Sequence, residues 1–213
     1  MIPRTPLYAV VDEAVTSAYG ASVTDVARRL LAGGARLLQV RAKLAASGAF
    51  LDWCDAVVAL GRATDATIIV NDRADVAAMA GAAGVHVGQD DVPPAALRRW
   101  LGPEMVVGLS THTPAQVDAA LAEPVSYVAV GPIFPTKTKA TGYAPVGLSL
   151  VRYAAERAGP IPVVAIGGIT LERAQEVIDA GASSVVAISD LLLTSDPEAR
   201  VREYLEVLRP RIV

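Results

Sequence analysis

Nine consecutive residues, Gly131-Pro132-Ile133-Phe134-Pro135-Thr136-Lys137-Thr138-Lys139, put two threonine hydroxyls and two lysine amines behind the apolar run Tyr127-Val128-Ala129-Val130. Hydroxyl and ammonium groups are natural partners of phosphate. A buried strand that spills into such a loop therefore points to a phosphate site. Other chemistry-bearing residues also follow short apolar runs: Arg41 and Lys43, Asn71 and Asp72, Asp91, Ser110, Gly167-Gly168 and Ser189.

Each of these has a plain reading beside the chemical one. Asp72 and Asp91 precede helical stretches, where a carboxylate caps the helix. On neighbouring strand ends they could instead share a hard cation such as Mg²⁺, which takes one or two carboxylates and completes its shell with substrate phosphate. Arg41 and Lys43 are either solvated rim charges or, two residues apart on a strand end, cations aimed into one mouth. Gly167-Gly168 is either a tight turn or a set of backbone N–H groups open to phosphate. His86, between glycines in a short strand, reads as a packed, hydrogen-bonded residue. His112, on a loop, is either an acid–base group or a structural one. Cys54 reads as a small buried apolar residue. Zinc-ligand spacing and a G-x-S-x-G nucleophile elbow are both missing from the sequence.

The elements that must position these groups follow a repeating pattern. Leu7 to Asp12 reads as a strand ending in a carboxylate, and 13–21 as a loop. Val23, Val26, Ala27, Leu30 and Leu31 have helical spacing, with Ser22 as cap and Gly33-Gly34 as stop. Strands follow from Arg36 to Arg41, at Thr67 to Val70, Gly84 to Gly88, Met105 to Gly108, Tyr127 to Gly131, Pro162 to Gly167 and Ser184 to Ile188. Helices fill the gaps: Ala49 to Thr64, Asp75 to Ala82, Pro94 to near Gly102, one from Pro114, Leu148 to Arg157, Thr170 to Gly181, and Pro197 to Leu208. Eight alternating βα units imply a closed parallel (β/α)₈ TIM barrel, with the whole chain, 1–213, as a single catalytic domain. An open doubly wound sheet would more often carry a G-x-G-x-x-G turn after its first strand, and this chain has none there. In a barrel of this kind the scattered polar residues converge on the C-terminal ends of the strands.

Composition narrows the partners. The apolar fraction is 53% against 5% aromatic, which suits a parallel sheet covered by helices. A net charge of -3 argues against a nucleic-acid binder. No run reaches the ~18 apolar residues of a membrane span, and Asp12 and Glu13 interrupt the first apolar run before it could serve as a signal peptide. The expectation is a soluble, cytoplasmic protein acting on small molecules, without nucleic acid or membrane as partner. The oligomeric state stays open, a homo-oligomer included.

The chain resembles the thiamine phosphate synthase family across essentially its whole length. The resemblance rests on Gln39-Val40-Arg41-Ala42-Lys43, Asn71-Asp72-Arg73, Gly84 through Asp91, Gly108-Leu109-Ser110-Thr111-His112, Gly131 through Lys139, and Ile166-Gly167-Gly168-Ile169. It implies a transferase that joins hydroxymethylpyrimidine diphosphate to hydroxyethylthiazole phosphate, giving thiamine phosphate and pyrophosphate. It also implies that Gln39, Val40, Arg41, Ala42, Lys43 and Asn71 hold the pyrimidine diphosphate, with Ser110 and Lys139. Asp72 and Asp91 would bind Mg²⁺. Thr136, Lys137, Thr138, Gly168, Ile188 and Ser189 would hold the thiazole phosphate. Arg41, Lys43, Lys139 and Ser110 would carry the catalytic electrostatics. Two departures stand out: Ala42 replaces an acid common between the Arg and the Lys, and Lys137 adds a charge between the threonines. The segment Ala140 to Pro145 reads as a lid. The rivals are a thiazole tautomerase using His112 and a non-catalytic phosphate-binding relative. The tautomerase needs neither Asp72 with Asp91 nor Arg41 with Lys43, and the non-catalytic relative would bind ligand without Mg²⁺-dependent turnover.

Overall fold

The computed structural model describes residues 2–136 and 142–209. Its strands are β1 Leu7–Asp12, β2 Leu37–Arg41, β3 Thr67–Asn71, β4 Gly84–Val87, β5 Val106–Thr111, β6 Tyr127–Val130, β7 Val163–Ile166 and β8 Ser184–Ala187. The helices are α1 Glu13–Ala18, α2 Val23–Ala32, α3 Ser47–Ala63, α4 Ala74–Met79, α5 Pro94–Leu101, α6 Pro114–Leu121, α7 Gly147–Arg157, α8 Leu171–Asp179, α9 Ser189–Leu192 and α10 Pro197–Val207. All strand pairs are parallel, each strand bonds its sequence neighbour, and β8 returns to β1 through Leu7↔Val185 and Ala9↔Ala187. The (β/α)₈ TIM barrel expected from the alternation is the fold observed.

Two of the elements differ from the sequence reading. Residues 13–18, expected within a loop, form α1, because Asp12 ends β1 and its side chain at once accepts from Val15 N–H as the helix N-cap. The short helix α9 was not anticipated, since four residues are too few to show a period. Ser22 caps α2 as expected, accepting from Asp25 N–H at 3.0 Å. Thr170 is the N-cap residue of α8 but makes no side-chain capping bond.

The period-two alternation of each strand divides the core into two layers. Leu7, Ala9, Val11, Leu38, Val40, Val85 and Val107 face outward into the layer shared with the helices. Tyr8, Val10, Leu37, Ile69, Val106, Tyr127, Ala129, Val164 and Val186 face inward and fill the barrel. Cys54 lies on α3 in the outer layer, fully buried, and burial pushes its thiol up to about 12. It therefore stays protonated and unreactive.

Filling the barrel with only small strand residues requires a few large ones, and Tyr127 is the largest plug beside Tyr8. Its ring fits because Gly108, its register partner on β5, has no side chain. A methyl built on Gly108 would stand 2.1 Å from Tyr127 Cζ. Gly108→Ala is therefore expected to cost about 1–3 kcal/mol of stability through overpacking. For a chain of this size that lowers the thermal midpoint by roughly 2–10 °C. Gly48→Ala on α3, where nothing lies within 4 Å, should leave the midpoint unchanged or slightly raised. Equal midpoints for the two variants in differential scanning calorimetry would contradict this packing account.

Candidate active site

The inward face of each strand continues past the apolar plug to its C-terminal end, and the polar residues of the mouth arise there. On β1 the inward series is Tyr8, Val10, Asp12; on β2 it is Leu37, Gln39, Arg41. Asn71 ends β3, His86 lies on β4 and Ser110 on β5. Gln39, Asn71, His86 and Ser110 are all buried. Burial at this level obliges polar side chains to find partners inside the barrel, and Gln39, His86 and Ser110 do so.

The bonds form one chain across the barrel. Gln39 Nε2 donates to Tyr8 Oη at 2.9 Å, and Tyr8 Oη lies 3.0 Å from Tyr127 Oη. Tyr127 Oη lies 2.9 Å from His86 Nδ1, and His86 Nε2 lies 2.8 Å from Ser110 Oγ. Burial pushes both phenols well above the usual tyrosine range, so both stay protonated. The Tyr8 and Tyr127 rings meet edge to face, and the His86 ring stacks on Tyr127 at 5.5 Å. His86 is thus packed and hydrogen-bonded, as its position between glycines suggested.

The cations are answered by acids. Arg41 pairs with Asp12 in a nearly sealed site, their side chains 13% and 3% exposed. The Arg41 Nε is buried and has no partner among the described residues. Lys43, half exposed, pairs with Asp72. Asp72 sits in the left-handed region at φ 60, a conformation that Asp tolerates better than most residues. It does not cap α4, whose N-cap is Arg73. Asp91 does not cap α5 either; its Oδ2 accepts from Gly88 N–H at 2.7 Å, and the N-cap is Pro93. With capping set aside, the two carboxylates stand after adjacent strands, β3 and β4.

A second half of the mouth lies under the β6, β7 and β8 loops. It is a pocket lined by Thr136, Gly167, Gly168, Ile188 and Ser189, among others. Gly167 and Gly168 have φ of 104 and 65, and a methyl on Gly168 would meet Pro135 O at 2.5 Å. Glycine is required there because the loop packs backbone against backbone. Ser189 opens α9, which α10 braces: Asp190 accepts from Tyr204 Oη at 2.8 Å and pairs with Arg200 at 3.2 Å. The pocket shares Ser110, Ala129, Ile166, Val186 and Ile188 with the smaller cavity around Tyr8, Gln39, Arg41, Asn71 and His86. The mouth is therefore two adjoining chambers on one floor.

Some expected residues fall elsewhere. Val40 turns outward into the barrel–helix layer with no exposed surface, so only its backbone is available to a ligand; Ala42 packs partly against the same layer. Lys137, Thr138, Lys139, Ala140 and Thr141 lie outside the described residues. The far end of the expected lid is anchored, Val146 N–H to Pro132 O at 2.8 Å and Gly147 N–H to Ile133 O at 3.1 Å. His112 donates from Nδ1 to the Gly131 carbonyl at 2.5 Å and stacks on Tyr143 with centroids 4.0 Å apart. Sequence reasoning did not single out Tyr8, Asp12 or Tyr127 for the site. Period-two spacing from Tyr8 to Asp12, matching Gln39 to Arg41 on the next strand, was the available signal.

Fold and mouth together define a class: a (β/α)₈ barrel with a polar, two-chambered mouth at the C-terminal ends of its strands. A family model described as thiamine monophosphate synthase matches residues 7–191. The thiamine-phosphate synthase of Koribacter versatilis is 45% identical, the match covering 97% of this chain and 96% of the relative. That of Lawsonia intracellularis is 38% identical, covering 95% and 92%. Among solved structures, the thiamine phosphate pyrophosphorylase from Pyrococcus furiosus superimposes with a TM-score of 0.87 at 28% identity, covering 96% of this chain and 95% of that one. The chain belongs to the thiamine monophosphate synthase family.

The Asp12–Arg41 pair yields a direct test. Removing one partner of a buried pair leaves an uncompensated charge and costs about 3–5 kcal/mol. Asp12→Ala should therefore lower the urea midpoint sharply, whereas Arg202→Ala, which breaks an exposed pair with Glu198 on α10, should hardly move it. Equal, small shifts would show that Arg41 does not depend on Asp12.

Proposed function

We propose that this protein is a cytoplasmic transferase that joins hydroxymethylpyrimidine diphosphate to hydroxyethylthiazole phosphate, releasing thiamine phosphate and pyrophosphate. The observation that carries the reading is the pair of chambers sharing Ser110, Ala129, Ile166, Val186 and Ile188. Two substrates must meet end to end in such a reaction, and a shared floor lets each be held by its own wall. The Gln39, Arg41 and Asn71 side, with Lys43 beside it, suits the pyrimidine diphosphate. The Thr136, Gly168, Ile188 and Ser189 side suits the thiazole phosphate. Lys137, Thr138 and Lys139 continue the loop after Thr136 in sequence, and we assign Lys139 to the departing diphosphate and the others to the thiazole phosphate.

The chemistry follows from charge. Breaking the C–O bond to diphosphate leaves negative charge on the leaving group and positive charge on the pyrimidine methylene. Arg41, Lys43 and Lys139 neutralise the first, and the amino-pyrimidine ring delocalises the second. The buried Nε of Arg41 is a donor that a diphosphate oxygen would satisfy. The thiazole nitrogen attacks with its own lone pair, so no general base is required. Holding both substrates on one floor supplies the entropic part of the acceleration. Burial of the floor by Ile166, Val186 and Ile188 keeps water from the methylene cation.

The family implies Mg²⁺, and the residues present fit it. Asp72 and Asp91 are oxygen donors on adjacent strand ends, and each keeps its Oδ1 outside the bonds already described. No group of three His, Cys, Asp or Glu gathers among the described residues. Mg²⁺ takes one or two carboxylates and completes its shell with phosphate and water. When bound, the ion supplies additional neutralisation of diphosphate charge.

Pyrophosphate release should require both substrates and Mg²⁺, with thiamine phosphate identified by mass spectrometry. Asp91→Ala should lower turnover by about 10²-fold or more at an unchanged thermal midpoint. Turnover of a thiazole phosphate carboxylate without pyrophosphate release, insensitive to Asp91→Ala and abolished by His112→Gln, would instead establish a tautomerase. Binding without turnover of either kind would establish a non-catalytic relative. No described helix is long and apolar enough to cross a membrane.

A further inference from the structure

The chain Gln39–Tyr8–Tyr127–His86–Ser110 has a direction, and the direction has a chemical consequence. A phenol carries one proton. Tyr8 Oη receives the Gln39 amide proton, so its own proton goes to its other neighbour, Tyr127 Oη. Tyr127, now an acceptor from Tyr8, gives its single proton to His86 Nδ1. That nitrogen must then be the lone-pair one, which puts the imidazole proton on Nε2, where it is donated to Ser110 Oγ. With its oxygen already accepting from His86, the Ser110 hydroxyl keeps its own proton for a further acceptor.

We propose that Tyr8, Tyr127 and His86 are positioning residues that relay the orientation of the Gln39 amide across the barrel and set Ser110 as a hydrogen-bond donor to its ligand. The relay is built rather than incidental. All five residues are buried, each bond is between 2.8 and 3.0 Å, and they come from β1, β2, β4, β5 and β6. Ring stacking of His86 on Tyr127 and the edge contact of Tyr127 with Tyr8 hold the oxygens and nitrogens in line. Reversed polarity, beginning from a Gln39 carbonyl, would make Ser110 give its proton to His86 and offer only a lone pair to the ligand. The amide of Gln39 therefore decides whether Ser110 reads a ligand acceptor, such as a ring nitrogen or phosphate oxygen, or a ligand amino group. The ligand assignment rests on the synthase reading; the relay itself does not.

The test is long-range ¹H–¹⁵N spectroscopy of the imidazoles in the uniformly labelled, substrate-free protein. The chain has 2 histidines, so a His112→Gln sample assigns both. His86 is expected as the single Nε2–H tautomer. An Nδ1–H, mixed or doubly protonated His86 would overturn the direction of the relay. Tyr127→Phe keeps the ring and its packing but removes the link, and should convert His86 to a tautomer mixture. Tyr8→Phe, which does not touch His86, should do the same. Retention of pure Nε2–H in both variants would show that the chain does not set it. In the pyrophosphate assay, at a temperature where each variant is folded, each should lose about 5- to 10-fold in kcat, one hydrogen bond's worth. An unchanged kcat would remove the positioning role. Because the spectra are read without substrate, failure of the synthase reaction would not disturb the tautomer result, and the reverse also holds.

Discussion

The return of β8 onto β1 is the contact on which the rest of the molecule depends. An open parallel sheet of these strands would leave Tyr8, Gln39 and Tyr127 on a face that water or helices must cover. Closure instead turns that face into a buried interior with no edge. Its side chains are then chiefly apolar or, like Tyr8, Tyr127 and His86, bonded to another inward residue. Leu37, Ile69, Val106, Val164 and Val186 meet this by packing, and Tyr8, Tyr127, His86 and Ser110 by hydrogen bonds. The polar floor of the mouth is thus a continuation of the core by hydrogen bonds instead of packing.

The same geometry explains how charge is tolerated at the rim. Arg41 sits one inward position above Gln39, close to the sealed floor, and Asp12 from the neighbouring strand neutralises it. Lys43 lies two residues further out and meets Asp72 in a wetter setting. Burial falls along this path from Gln39 to Lys43, so Arg41 is held more rigidly than Lys43. On the opposite side, the pocket under the β6, β7 and β8 loops relies on backbone. Gly167 and Gly168 let two loops touch, and α10 fixes α9 through Asp190. One half of the mouth is stiffened by ion pairs and the other by close backbone contact.

The (β/α)₈ order was legible because it depends on local patterns. Apolar runs, Gly stops and Pro94 and Pro114 at helix starts are each decided by a few neighbouring residues. Element ends moved by a few residues, and α1 and α9 were invisible because six and four residues carry little periodicity. The polar strand ends were legible too, since a barrel places every such end at one face. The sequence could not say what each of those residues touches. Asp72 and Asp91 were equally good helix caps on paper, yet Arg73 and Pro93 occupy those positions. Val40 shares a motif with Gln39 and Arg41 but points to the other side of the sheet, because adjacent residues on a strand always do.

What the sequence determined alone is the inventory and its order: eight βα units, two acids, the cations of the first motif and the phosphate-friendly loops, all short-range properties. Only the tertiary structure decided the pairings. Tyr8 and Tyr127 are 119 residues apart and Asp12 and Arg41 are 29 apart, and nothing in the local chain foretells that they bond. The register of a closed sheet brings them together, and burial there obliges their polar atoms to pair within the barrel.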